Sequence, residues 1–149
     1  MKAFSVLMTV VLSVVLLGCG NQPGEPVEYS QVCSTANNKK YIETEGFLDD
    51  AGGVFCSNTS GRMECGFKLK NDLKDEKGFS ADIAIAGGAN SMDKLERGYR
   101  KSDIKIRNNQ GDPVDLSKKV KVTGTLTFSD DPVYTSGPVC YLKVDKIEQ

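Results

Sequence analysis

Beyond residue 39 the chain alternates apolar and polar side chains, the pattern of strands with one buried face. Over residues 41–48, Ile42, Thr44, Gly46 and Leu48 share one face, and Tyr41, Glu43, Glu45 and Phe47 share the other. The layout returns over 119–128, where Val120, Val122, Gly124, Leu126 and Phe128 alternate with Lys119, Lys121, Thr123, Thr125 and Thr127. Both runs carry an interior glycine, which fits a sharp bend where one strand serves two sheets. Between them, short apolar runs predict strands over 54–56, over 63–69 with Met63, Cys65, Phe67 and Leu69 alternating, and over 80–86 with Ala81, Ile83 and Ile85 alternating. A last strand is expected over 139–147, its alternation slipping near Ile147 as at a bulge. Met92, Leu95 and Tyr99 recur at helical spacing behind Ser91, a suitable N-cap, and Asp93, predicting a short helix. Residues 103–107 and 114–116 flank a turn-rich stretch and predict an inserted hairpin.

Three strands, a short helix and two further strands, with glycine in the first and fourth, resemble the OB-fold, a mainly β, five-stranded Greek-key barrel. The resemblance covers about residues 39–148 and is closest to OB-fold domains of exported bacterial lipoproteins and periplasmic proteins. A β-sandwich is the rival, but its seven or more strands would have to consume the helical segment. The resemblance implies a ligand face on strands two and three with the adjoining loops. Near it lie Tyr41, Phe47, Phe55 and Phe67, with Arg62, Lys68 and Lys70 as the basic residues. Phe67 shares parity with Met63, Cys65 and Leu69 and belongs to the core, so Tyr41, Phe47, Phe55, Arg62 and Lys68 are the candidate ligand-binding residues.

The N-terminus carries a different signal. Lys2 precedes an almost wholly apolar run over residues 3–17, which is shorter than the roughly 20 residues of a membrane span and fits a signal peptide. Leu16-Leu17-Gly18-Cys19 resembles the lipobox of bacterial lipoproteins. That resemblance implies cleavage before Cys19, lipid attachment to its thiol, and stable anchoring, since each buried methylene contributes about 0.8 kcal/mol. Residues 1–18 are then a signal peptide, 19–38 the lipidated cysteine and a flexible tether able to dock only from about Tyr29, and 39–149 the domain. Gly20 after the cysteine favours the outer membrane if the envelope is Gram-negative, because Asp there would resemble an inner-membrane retention signal.

With Cys19 assigned to lipid, Cys33, Cys56, Cys65 and Cys140 remain, and an even set in an exported domain implies two disulfides with three possible connectivities. Cys56 and Cys65 flank a turn-rich segment between strand-like runs, which favours that pair and leaves Cys33 to join Cys140. A structural zinc site usually has closer paired spacings, and no CxxC redox motif is present.

Charge and composition narrow the function. Nineteen Lys plus Arg against 20 Asp plus Glu argue against nucleic acid as partner, and the absence of His lowers the prospects of triad and catalytic zinc chemistry. The loop at Gly87-Gly88 lacks both GxGxxG and the phosphate-binding lysine, so no cofactor is expected. Asp49-Asp50 and Asp130-Asp131 are acidic pairs that fit solvated turns or, less readily, a calcium site. The reading is a lipid-anchored envelope protein, not an enzyme, binding a protein, peptide or saccharide. A structural or stress-related accessory is the alternative, and a calcium-dependent enzyme is third.

Overall fold

The computed structural model describes residues 22–59, 61–130 and 137–149; the lipobox-like run ending at Cys19, and Asp131, lie outside them. Within them the chain is mainly β. Its strands are β1 Glu25–Pro26, β2 Tyr41–Asp49, β3 Phe55–Thr59, β4 Arg62–Lys70, β5 Phe79–Ala84, β6 Ser91–Met92, β7 Ile106–Arg107, β8 Val120–Ser129 and β9 Val139–Glu148. Seven of them form one mixed sheet in the order β1-β2-β8-β9-β5-β4-β3, and β2 also pairs with β4. Five strands thereby make a partly closed ring, with β1 and β3 as outer additions. The pairs are antiparallel except β1–β2 and β5–β9.

Ring closure depends on β2 changing partners. Tyr41 to Gly46 pair with β8, whereas Phe47 to Asp49 pair with β4. The glycine of β8 stands at a second irregularity, where the register with β9 shifts between Thr123 and Gly124 and leaves Asp145 as the extra residue. A β-carbon on Gly124 would collide with the Lys143 carbonyl, so the close approach of β9 requires glycine there. The expected bulge therefore lies beside Gly124, just ahead of Ile147.

The inward parity residues meet in one core. Ile42, Leu48, Phe67, Leu69, Ile83, Leu126, Leu142 and Ile147 are almost completely buried, each such side chain contributing about 1.5–3 kcal/mol. Met63, expected among them, is 43% exposed because the outer end of the β3–β4 hairpin projects beyond the ring. The disulfides are Cys56–Cys65, joining residues directly opposite in β3 and β4, and Cys33–Cys140, which ties the N-terminal segment to β9. They indicate an oxidising, extracytoplasmic compartment.

Three expectations change. The segment read as a tether is docked from Gly24 onward. Glu25 and Pro26 pair with Ile42 and Glu43, the Val27 amide donates to the Glu43 carbonyl at 2.9 Å, and Val32 is fully buried. Residues 91–99 form no helix. Ser91 and Met92 are extended against Ile106 and Arg107, the Ser91 hydroxyl donates back to the Gly88 carbonyl at 2.7 Å, and Gly98 is left-handed at φ +79°. Extended pairing buries Met92 completely and lets Asp93 meet Arg107 at 3.1 Å, which a helical turn here would not do. The inserted hairpin is reduced to β7, a bridge from Arg107 to Pro113, and a turn in which Asn108 Oδ1 accepts from the Gln110 and Asp112 amides.

Candidate functional site

The outward residues of β3, β4 and β5 form a shared face because antiparallel register sets them side by side. Phe55 lies opposite Gly66, and Gly66 opposite Asp82; Ser57 lies opposite Glu64, and Lys68 opposite Ser80. The parallel junction continues the face onto β9, with Asp82 opposite Lys143 and Ser80 opposite Tyr141. Because Gly66 has no side chain, a trough of about 370 Å³ opens beside Phe55, lined also by Glu64, Lys68, Ser80 and Asp82. Phe55 is 79% exposed on an edge strand pinned to β4 by the Cys56–Cys65 bridge, so a large aromatic surface is held out in water.

The charges around the trough are mixed and mutually oriented. Glu64 is 6% exposed and lies 3.3 Å from Arg62 Nε and 3.7 Å from Lys143 Nζ. Its Oε1 accepts no hydrogen bond, so the carboxylate is balanced in charge but incompletely satisfied. Arg62 also meets Asp145 at 3.6 Å. Ser80 donates to Asp82 at 3.0 Å. Burial pushes the Asp82 carboxyl above the ordinary carboxylate value, against the opposing pull of the Ser80 hydrogen bond and the Lys68 charge. A face with an exposed ring, two carboxylates and flanking cations suits a ligand that both donates and accepts hydrogen bonds and offers an apolar surface for stacking.

At Lys68, Ser80 and Asp82 the trough meets a larger groove of about 1220 Å³ beside Tyr29, the Cys33–Cys140 bridge and Tyr141. Tyr29 is fixed there by donating to the Leu69 carbonyl at 2.8 Å and by a ring contact with Phe79, centroids 5.4 Å apart. Burial raises the Tyr29 phenol above its ordinary value.

Of the five residues expected at the ligand face, Phe55, Arg62 and Lys68 come together on it. Tyr41 does not line the trough; it lies on β2 opposite Thr125, itself opposite Lys143, and burial and then the Asp145 charge raise its phenol above the usual value. Phe47 stands apart from the trough, with the Lys119 ammonium 5.7 Å from its ring centroid. Sequence reasoning missed Glu64, Ser80, Asp82 and Lys143. Parity carried the signal for the first three, because 62, 64, 66 and 68 alternate with the buried side of β4, as 80 and 82 do with that of β5.

The acidic pair at the end of β2 is engaged within the protein. Lys70 meets Asp49 at 2.6 Å, and Lys101 meets Asp49 at 3.3 Å and Asp50 at 2.9 Å. Among the described residues no group of three or more His, Cys, Asp or Glu is placed to hold a metal ion, and no helix is long and apolar enough to cross a membrane. Comparison with protein-family models, curated proteins and solved structures gives no match to this chain.

Proposed function

We propose that the protein is a non-catalytic binding module of the cell envelope, anchored by lipid on Cys19, whose β3–β4–β5 face receives a protein, peptide or saccharide. The ring of five strands with one parallel junction supports reading the domain as an OB-fold-like barrel, and in such barrels the second and third strands carry the ligand face. The observation that carries the proposal is Phe55, 79% exposed and braced by a disulfide beside a trough containing a buried, incompletely satisfied Glu64. Holding an aromatic ring in water on a rigid edge costs solvation and gains nothing for the fold, whereas it presents a low-entropy contact to a partner. The lysines at Asp49 and Asp50 weigh against a calcium-dependent enzyme at that pair.

The test is photocrosslinking in intact cells from a probe replacing Ser57 in the anchored protein. A defined adduct that disappears in Phe55→Ala and weakens in Lys68→Glu is expected. An adduct indifferent to both changes would remove the face from consideration, and no adduct at all would favour the structural or stress-related accessory. Separately, Cys19→Ser is expected to release the protein from membranes, which fractionation checks.

A further inference from the structure

We infer that the anchored barrel rests on the membrane surface by the end that carries Gly24, Glu25, Lys39 and Lys40, with the Asp49–Phe55 end turned away. This rests on lipidation at Cys19 and goes beyond it, because an anchor alone does not orient a domain.

Gly24 is buried, and a β-carbon on it would come within 2.7 Å of the Ile42 carbonyl carbon and of Thr123 Cγ2, so the chain is seated in the fold at that residue. From there β1 pairs with β2, Val32 enters the core, and the Cys33–Cys140 bridge keeps the segment from peeling off and lengthening the leash. Five residue steps separate Cys19 from Gly24. Whatever their conformation, they span at most about 18 Å, little more than the radius of gyration of about 14 Å expected for a domain of this length. Even fully extended, that leash falls short of a body length, so the barrel stays close to the lipid and orientations that carry Gly24 to its far side are excluded.

At that end Lys40 is paired with Glu25 at 3.2 Å, and the exposed Lys39 beside them is the cation placed to meet a phosphate headgroup. The opposite end follows from the register of β2. β1 contacts its start at Ile42 and Glu43, and β4 joins it at Phe47 to Asp49, about 20 Å further along at strand rise. Phe55 lies opposite Gly66, beyond that junction. The aromatic edge thus faces away from the anchoring leaflet.

The experiment uses the full lipidated chain in vesicles of phosphatidylethanolamine and phosphatidylglycerol that carry a headgroup-attached energy acceptor. A fluorescent amino acid replaces Lys40 in one preparation and Phe55 in another. Stronger transfer from position 40 than from 55 is expected, with loss of the difference when a long Gly-Ser segment is inserted after Gly20. Equal transfer at the two positions, or a difference indifferent to the insertion, overturns the proposal. Failure of the protein to float with the vesicles overturns the lipid reading itself and the orientation with it.

Discussion

The carbonyl oxygen of Lys70 lies 2.7 Å from the position that a β-carbon on Gly46 would occupy, with Leu69 Cγ 2.8 Å from the same point. This contact marks where β2 leaves β8 for β4 and closes the ring. Gly46→Ala is expected to cost about 1–3 kcal/mol, because the blocking atom is backbone and yields only if the closing pairs shift. Gly87→Ala, which meets open space, is expected to stay within about 0.5 kcal/mol. Urea unfolding measures both, and equal costs would refute the crowding argument.

The two disulfides are expected to contribute unequally. Cys33–Cys140 spans 107 residues of sequence, so replacing both cysteines with Ser should cost near the upper part of the range of about 2–5 kcal/mol, more than removing the nine-residue Cys56–Cys65 link. In Cys56→Ser the freed Cys65 is fully buried, so maleimide should label it only after denaturation, without reductant. Rapid labelling of the native variant would show that the hairpin opens.

Acid should weaken the closing end of β2. The hydrogen bond from Lys70 is the main influence holding the Asp49 carboxyl below its ordinary value, with Lys101 adding to it. A lowered folded-state value means that this stabilisation is complete above the ordinary carboxylate value near pH 4 and is lost as pH falls through the lower one. Lys70→Met is therefore expected to flatten the decline of Tm below about pH 4. An unchanged acid limb would sink the assignment.

Asp82 should behave in the opposite sense. Burial raises its carboxyl, so the charged form is penalised above the raised value and the penalty vanishes once the pH drops below the ordinary one. Asp82→Asn is expected to raise stability at pH 7 by about 0.5 kcal/mol, to match the parent near pH 3, and to weaken the crosslink from position 57. Thermal melts at the two pH values check the first part. A destabilised variant at pH 7 would contradict it.

A buried hydroxyl offers a cleaner test of packing. Thr44 is 3% exposed on the inner face of β2, and its Oγ1 accepts and donates no hydrogen bond. Thr44→Val replaces that hydroxyl by a methyl of similar shape and is expected to stabilise by about 1 kcal/mol in denaturant titration. Loss of stability would mean that the hydroxyl has a partner after all, such as ordered water.

Strand parity made much of the barrel legible. Ile42, Leu48, Phe67, Leu126 and Leu142 all turn inward as their alternation requires, and the cysteine spacing led to the two pairs found. The candidate face was only partly legible. Arg62 and Lys68 share a strand with Glu64, but nothing local says that Ser80, Asp82 and Lys143 stand beside them.

The division has a physical basis. A strand's own sequence determines which side chains face a core, because successive residues point to opposite sides, and it marks where crowding will demand glycine. By itself it therefore determined the long strands and most of their buried residues, and it favoured the cysteine pairing that the fold then settled. Spacing of three and four is satisfied equally by a helix and by isolated apolar residues in extended chain, so only the tertiary structure decided that Met92 would be buried by pairing with Ile106. Likewise Gly24 to Pro26 hold little apolar surface, and their docking came from the edge of β2 at Ile42 and Glu43, left open because β4 joins β2 only from Phe47 onward. The trough is decided at the same level, since closure through β4, β5 and β9 sets Phe55, Glu64, Asp82 and Lys143 side by side from distant parts of the chain.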